Sequence, residues 1–299
     1  MSLNIRGCGT ALVTPFRKDG TLDLDALRRL VQFQLHAAVD FLVPCGTTGE
    51  TPTLEHAEYL GVVRAVVQEV AGKVPVIAGV GGNNTREVID LAAEVRGLGV
   101  QGILSVAPYY NKPTQEGLYQ HFRAIAHSTD LPIILYNVPG RTSSNIEPPT
   151  VARLSQIPNI IGIKEASGSI LQQMEVLAAV SPGFHVLSGD DSFTFPLMAL
   201  GGVGIISVVS NEVPGEMTRL AHLVLEGKLE SARQLHFKLM PLMQVNFIET
   251  NPIPVKAALA MMGMIEEVYR LPMVPMKAEN RAKLEQVLAA QGLLQGQKL

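Results

Sequence analysis

Short, nearly continuous apolar runs alternate with amphipathic stretches along most of this chain. The runs are Thr10–Thr14, Phe41–Pro44, Val76–Val80, Gly102–Val106, Ile133–Tyr136, Ile160–Lys164, Phe184–Leu187 and Val203–Ile206. Continuous rather than alternating hydrophobicity predicts parallel strands covered on the outside by helices. Between the runs, apolar positions fall at helical spacing. In the first such stretch Leu27, Leu30, Val31, Leu35 and Ala38 recur behind a cap expected at Asp23. Eight strand-then-helix units in succession predict an α/β fold, a closed (β/α)8 TIM barrel. A doubly wound open sheet calls instead for a glycine fingerprint in the first strand–helix turn. That turn reads Thr14-Pro15-Phe16-Arg17-Lys18-Asp19-Gly20. After Ser210 the strand signals stop, while helical patterns continue at Val213–Leu225, Leu229–Phe247, Pro254–Met262 and Glu279–Leu293. The last three exceed what a barrel needs. The expected division is a barrel catalytic domain over 1–225 and a C-terminal helical extension over 226–299.

Composition narrows the class. The 299 residues are 47% hydrophobic, enough for a large core, and 24 basic against 27 acidic residues leave a net charge of −3. No long run of like charge offers an electrostatic footprint for nucleic acid. No apolar run approaches the ~18 residues that cross a membrane. The N-terminal stretch, interrupted by Thr10, Thr14 and Pro15, does not read as a signal peptide. Cys8 and Cys45 show neither metal-ligand spacing nor a disulfide framework. The expectation is a cytoplasmic protein.

In a barrel of this kind the chemistry gathers where strands end and the following loops converge. Strand two ends in Gly46-Thr47-Thr48-Gly49-Glu50, strand four in Pro108-Tyr109-Tyr110-Asn111, strand five in Tyr136-Asn137-Val138-Pro139-Gly140-Arg141-Thr142. Strand six ends in Gly162-Ile163-Lys164-Glu165, strand seven in Ser188-Gly189-Asp190-Asp191, strand eight in Gly204-Ile205-Ile206-Ser207. An apolar surrounding disfavours the charged form of an amine, so a lysine carried there attacks carbonyls more readily and forms a Schiff base. Lys164 is that candidate. Tyr136, on the neighbouring strand, is a candidate for passing protons, with Thr47 and Tyr110 as connecting hydroxyls. Arg141 offers a bidentate grip for a carboxylate. The glycines of Gly79-Val80-Gly81-Gly82 and Gly201-Gly202-Val203-Gly204 lack the lysine and hydroxyl of a P-loop. The seven histidines show no paired spacing for zinc, so no metal is expected.

These motifs, together with Pro108-Tyr109-Tyr110-Asn111-Lys112-Pro113 and Asn251-Pro252-Ile253-Pro254-Val255-Lys256, resemble the pyruvate-dependent lyases of the dihydrodipicolinate synthase and N-acetylneuraminate lyase family. The resemblance covers nearly the whole chain. It implies that Lys164 condenses with the keto carbon of pyruvate, without a cofactor. Thr48, Gly189 and the Ile206 backbone region would line the pyruvate site, with Thr47 and Thr48 bonding its carboxylate. Tyr136 would move protons through Thr47 and Tyr110, and Tyr110 would reach the site from a partner subunit of a homotetramer built from two tight dimers. Arg141 would hold the carboxylate of a second substrate, L-aspartate 4-semialdehyde. An aldolase acting on another oxo acid or sugar acid is the nearest alternative. A non-catalytic keto-acid-binding barrel is an alternative of another class, disfavoured by the completeness of the set.

The resemblance also implies a feedback pocket for lysine at His56, Asn83, Glu87 and Tyr109. Thr51 and Pro52 depart from the usual small pair there, and Tyr59 stands where a histidine is common. Asn84 and Glu87 have the spacing of a helix capping box, which would give Glu87 a structural task instead.

Overall fold

A computed structural model describes Leu3 and residues 5–294. Eight parallel strands form its centre: β1 (Gly7–Ala11), β2 (Phe41–Val43), β3 (Ile77–Gly79), β4 (Gly102–Val106), β5 (Ile133–Asn137), β6 (Ile160–Glu165), β7 (His185–Ser188) and β8 (Gly204–Ser207). The hydrogen-bonded order runs β2-β1-β8-β7-β6-β5-β4-β3. A parallel bridge between Leu42 and Val76 closes the ring, and Gly79 N–H donates to the Pro44 carbonyl at 2.9 Å. The strands are buried on both faces, which explains their continuous apolar sequence. Phe41, Val43, Ile77, Leu104, Tyr136 and Leu187 pack together inside the barrel.

Seven of the expected strands sit where their apolar runs lie. The first does not: Gly7–Ala11 forms the strand, ahead of the expected Thr10–Thr14. Pairing decides this, because Gly7 to Thr10 register against Gly204 to Ser207 of β8. A side chain on Gly9 would collide with the Phe41 ring, so glycine is required where strand propensity disfavours it.

The helix Leu24–His36 starts at Asp23, whose carboxylate accepts the Ala26 N–H. The Asn84–Glu87 pair differs from its expectation. Asn84 caps the helix Thr85–Gly97 by accepting from Arg86 N–H, but Glu87 accepts from the Asn84 side-chain amide at 2.8 Å rather than from a backbone donor. Helices Leu229–Val245, Ile253–Met261 and Ala278–Ala290 follow the barrel, close to their expected bounds. They share an apolar core with the helix Pro214–Leu225 and with Cys8 and Ile205 of the barrel wall. Among the described residues no helix is long and apolar enough to cross a membrane.

Candidate active site

The strand ends place Lys164 and Tyr136 side by side. They are register partners on β6 and β5, and Lys164 Nζ stands 4.4 Å from the centroid of the Tyr136 ring. Lys164 is only 5% exposed and Tyr136 7%, so both groups work in a dry surrounding where electrostatic effects are strong. On the other side of the lysine, a Cβ built on Gly189 would approach Lys164 Cγ and Cε at 3.0 and 3.1 Å. Any side chain at 189 would press on the amine's stem. The Asp190 carboxyl is raised above its usual value by burial, against the opposing pull of hydrogen bonds from Ser192 and the Lys164 charge.

Tyr136 opens onto a cavity of about 410 Å³. Thr47, Glu50, Tyr109, Arg141, Asn251 and Met273 are among its lining residues. Arg141 belongs to a single helical turn, Pro139–Thr142, begun by its proline and ended by Ser143 at φ 55°. Its guanidinium donates to the Asn251 carbonyl at 3.3 Å. Thr47 lines the cavity, while Thr48 is buried in the wall and accepts from the Asn251 side-chain amide at 3.0 Å. Lys164, Gly189 and Ile206 are not part of the cavity lining. Ile206 is fully buried within the barrel, in the same apolar cluster as Tyr136.

Tyr110 is the one expected catalytic residue that this chain does not bring to the site. It is 89% exposed with φ 70°, while its neighbour Tyr109 faces the cavity. Of the four residues expected to bind lysine, Tyr109 lines the cavity and the other three are held in separate contacts. The exposed His56 ring pairs with Glu94 at 2.8 Å, the Asn83 carbonyl accepts from Asn111, and Glu87 bonds Asn84. Tyr59 is structural, because its buried hydroxyl donates to the Gly79 carbonyl at 2.9 Å.

Several members of the site carry no signal of their role in the sequence. Asn251 connects Thr48 with Arg141, yet its own side-chain oxygen is buried without a partner among the described residues. A lone asparagine carries no periodic signal, although its Asn-Pro-Ile-Pro-Val-Lys context was part of the resemblance. Asp191, next to Asp190 at the end of β7, accepts from Ser207 Oγ and from the N–H groups of Val208 and Val209. Burial pushes its carboxyl up to about 6. These bonds fasten β7 to β8 immediately beyond Gly189 and Ile206.

Known proteins place this architecture. The family model described as the dihydrodipicolinate synthetase family matches residues 4–291. This chain belongs to that family. The 4-hydroxy-tetrahydrodipicolinate synthase of Koribacter versatilis is 56% identical over 98% of either chain. That of Prosthecochloris aestuarii is 53% identical over 97% of this chain and 98% of its own. Among solved structures, dihydrodipicolinate synthase from Aquifex aeolicus superposes with a TM-score of 0.95 at 45% identity, covering 98% of this chain and 100% of its own. The Acinetobacter baumannii enzyme, solved in complex with pyruvate, gives 0.96 at 41% identity over 97% and 100%.

Proposed function

We propose that the chain condenses pyruvate with L-aspartate 4-semialdehyde to give 4-hydroxy-tetrahydrodipicolinate, a lyase reaction on the diaminopimelate route to lysine. The observation that carries the residue assignment is Lys164, buried at a strand end with its amine over Tyr136. Lys164 Nζ attacks the keto carbon of pyruvate, and loss of water gives the imine. Loss of a methyl proton converts the imine to an enamine, whose carbon attacks the aldehyde carbon of the semialdehyde. The substrate amine then displaces Lys164 and closes the ring, freeing the enzyme. Tyr136 moves protons through Thr47 and Tyr110. Thr47 and Thr48 hold the pyruvate carboxylate, beside the backbone of Gly189 and Ile206, and Arg141 grips the carboxylate of the semialdehyde. The carrier is the imine itself, so the reading needs neither cofactor nor metal.

Placing Tyr110 in this relay requires a second copy of the chain, which its outward position allows, and the family resemblance extends this to a homotetramer made of paired dimers. A barrel over 1–225 and a helical extension over 226–299 is the proposed organisation. Two buried free thiols, Cys8 and Cys45, fit a reducing cytoplasm.

Borohydride reduction with pyruvate, followed by intact-mass spectrometry and peptide mapping, tests the assignment. One pyruvate-derived adduct per chain is expected on Lys164, and none in Lys164→Ala. A coupled assay with aspartate semialdehyde should show turnover. An adduct elsewhere, or none, would remove Lys164 from the mechanism. Feedback by lysine at His56, Asn83, Glu87 and Tyr109 is a separate proposal. Its support is the family resemblance and a related enzyme from Cyanidioschyzon merolae, 42% identical, solved with lysine bound. L-Lysine added at limiting pyruvate should slow the enzyme, and unchanged rates at millimolar lysine would sink the idea.

A further inference from the structure

Glu50 and Lys256 form an ion pair buried almost completely, with side chains 1% and 0% exposed. They are 206 residues apart in sequence. Glu50 sits between the two short turns Thr47–Gly49 and Thr51–Thr53, in the left-handed region at φ 52°. A residue with a side chain rarely adopts that conformation unless its surroundings impose it. Lys256 lies on the helix Ile253–Met261, directly after the Asn251–Pro252 segment of the cavity wall. Its ammonium packs between the rings of Phe16 at 4.3 Å and Tyr269 at 5.4 Å. The second carboxylate oxygen of Glu50 accepts from the Arg270 N–H at 3.3 Å. The Arg270 side chain in turn bonds Glu58 and the carbonyls of Gly20 and Thr53. Pro272 and Met273, just beyond, line the cavity.

A buried ion pair is weak support for stability, because removing both charges from water costs about as much as their attraction returns. Its distinctive property is direction. Here one carboxylate holds three segments by oriented bonds, and each segment carries part of the cavity wall. We propose that Glu50 and Lys256 are positioning residues for pyruvate, which set the Thr47–Thr48 turn against Asn251. The inference rests on the assignment of Thr48 to the pyruvate carboxylate. Neither residue needs to touch substrate. Lys164 and Tyr136 lie on β6 and β5, outside the segments the pair joins, so of the proposed proton path only Thr47 shares the turn it sets, and substrate affinity should respond more than the chemical step.

The test compares Glu50→Gln/Lys256→Met with the wild-type protein, together with Glu50→Asp and Thr48→Val. Melting temperature, pyruvate KM and kcat are measured for each. The double variant removes both charges and should fold. Its pyruvate KM should rise by about tenfold, with a smaller fall in kcat from the displaced Thr47, the pattern of binding lost mainly in the ground state. If it does not fold, Glu50→Asp carries the test, since it keeps the charge and shortens the reach. A rise in pyruvate KM of about threefold or more is then expected. A folded double variant with wild-type KM, or an unchanged Glu50→Asp where the double fails, would overturn the proposal. Thr48→Val separates the two readings. If it raises KM while the folded double variant does not, positioning is wrong and the carboxylate assignment survives. If Thr48→Val leaves KM unchanged, the underlying assignment has failed.

Discussion

Tyr136 has two physical tasks that one substitution can separate. Its ring lies under the Lys164 amine, an arrangement worth up to about 2 kcal/mol when desolvated. Its hydroxyl is the proposed proton carrier. Tyr136→Phe keeps the ring and removes the hydroxyl alone. Turnover should fall by about 10²–10⁴-fold, the usual contribution of a positioned acid–base group, while the pyruvate adduct still forms on Lys164. Steady-state rates and borohydride trapping would show both. A rate within about threefold of wild type would assign the proton transfer to another group. At this scale the sequence was most informative where chemistry and strand ends coincide, as at Lys164. It was least informative at Asn251, whose importance comes from contacts to Thr48 and Arg141 that only the folded chain brings together.

At the scale of elements, the strands were legible because burial on both faces leaves a strong mark on composition. The displaced first strand shows where that mark fades. Residues 7–11 contain two glycines, each demanded by a close neighbour: Asp40 behind Gly7 and the Phe41 ring behind Gly9. Pairing partners decided the register, and those are distant in sequence. The helical turn carrying Arg141 was also invisible, since four residues hold no periodicity. The loops fared differently again. The residues of Thr47–Glu50 were recognisable, but the buried pair that fixes their path joins Glu50 to a residue on another helix.

Across the whole molecule, buried histidines tie stability to pH. His121 is buried, with its Nδ1 2.8 Å from Thr85 Oγ1 and its Nε2 without a partner among the described residues. Burial lowers it from 6.5 to about 4. Between those values the unfolded chain holds a proton that the folded chain refuses. Stability from His121 is therefore present above about 6.5 and is lost as pH falls toward about 4, a loss of roughly 3 kcal/mol. Asp191 acts oppositely. Raised by burial to about 6, it takes up a proton earlier when folded, so falling pH relieves its cost. His121→Gln should be less stable than wild type at pH 7.5 and should lose less on acidification. Urea unfolding at fixed protein concentration across pH 7.5 to 4.5 would read the difference, and parallel profiles would dismiss the histidine. The cavity wall has one more consequence. Thr47 and Arg141 leave the ribosome long before Asn251, Pro252, Pro272 and Met273. A nascent chain with all eight strands made still lacks one side of this cavity, so the candidate site is complete only once the tail has emerged.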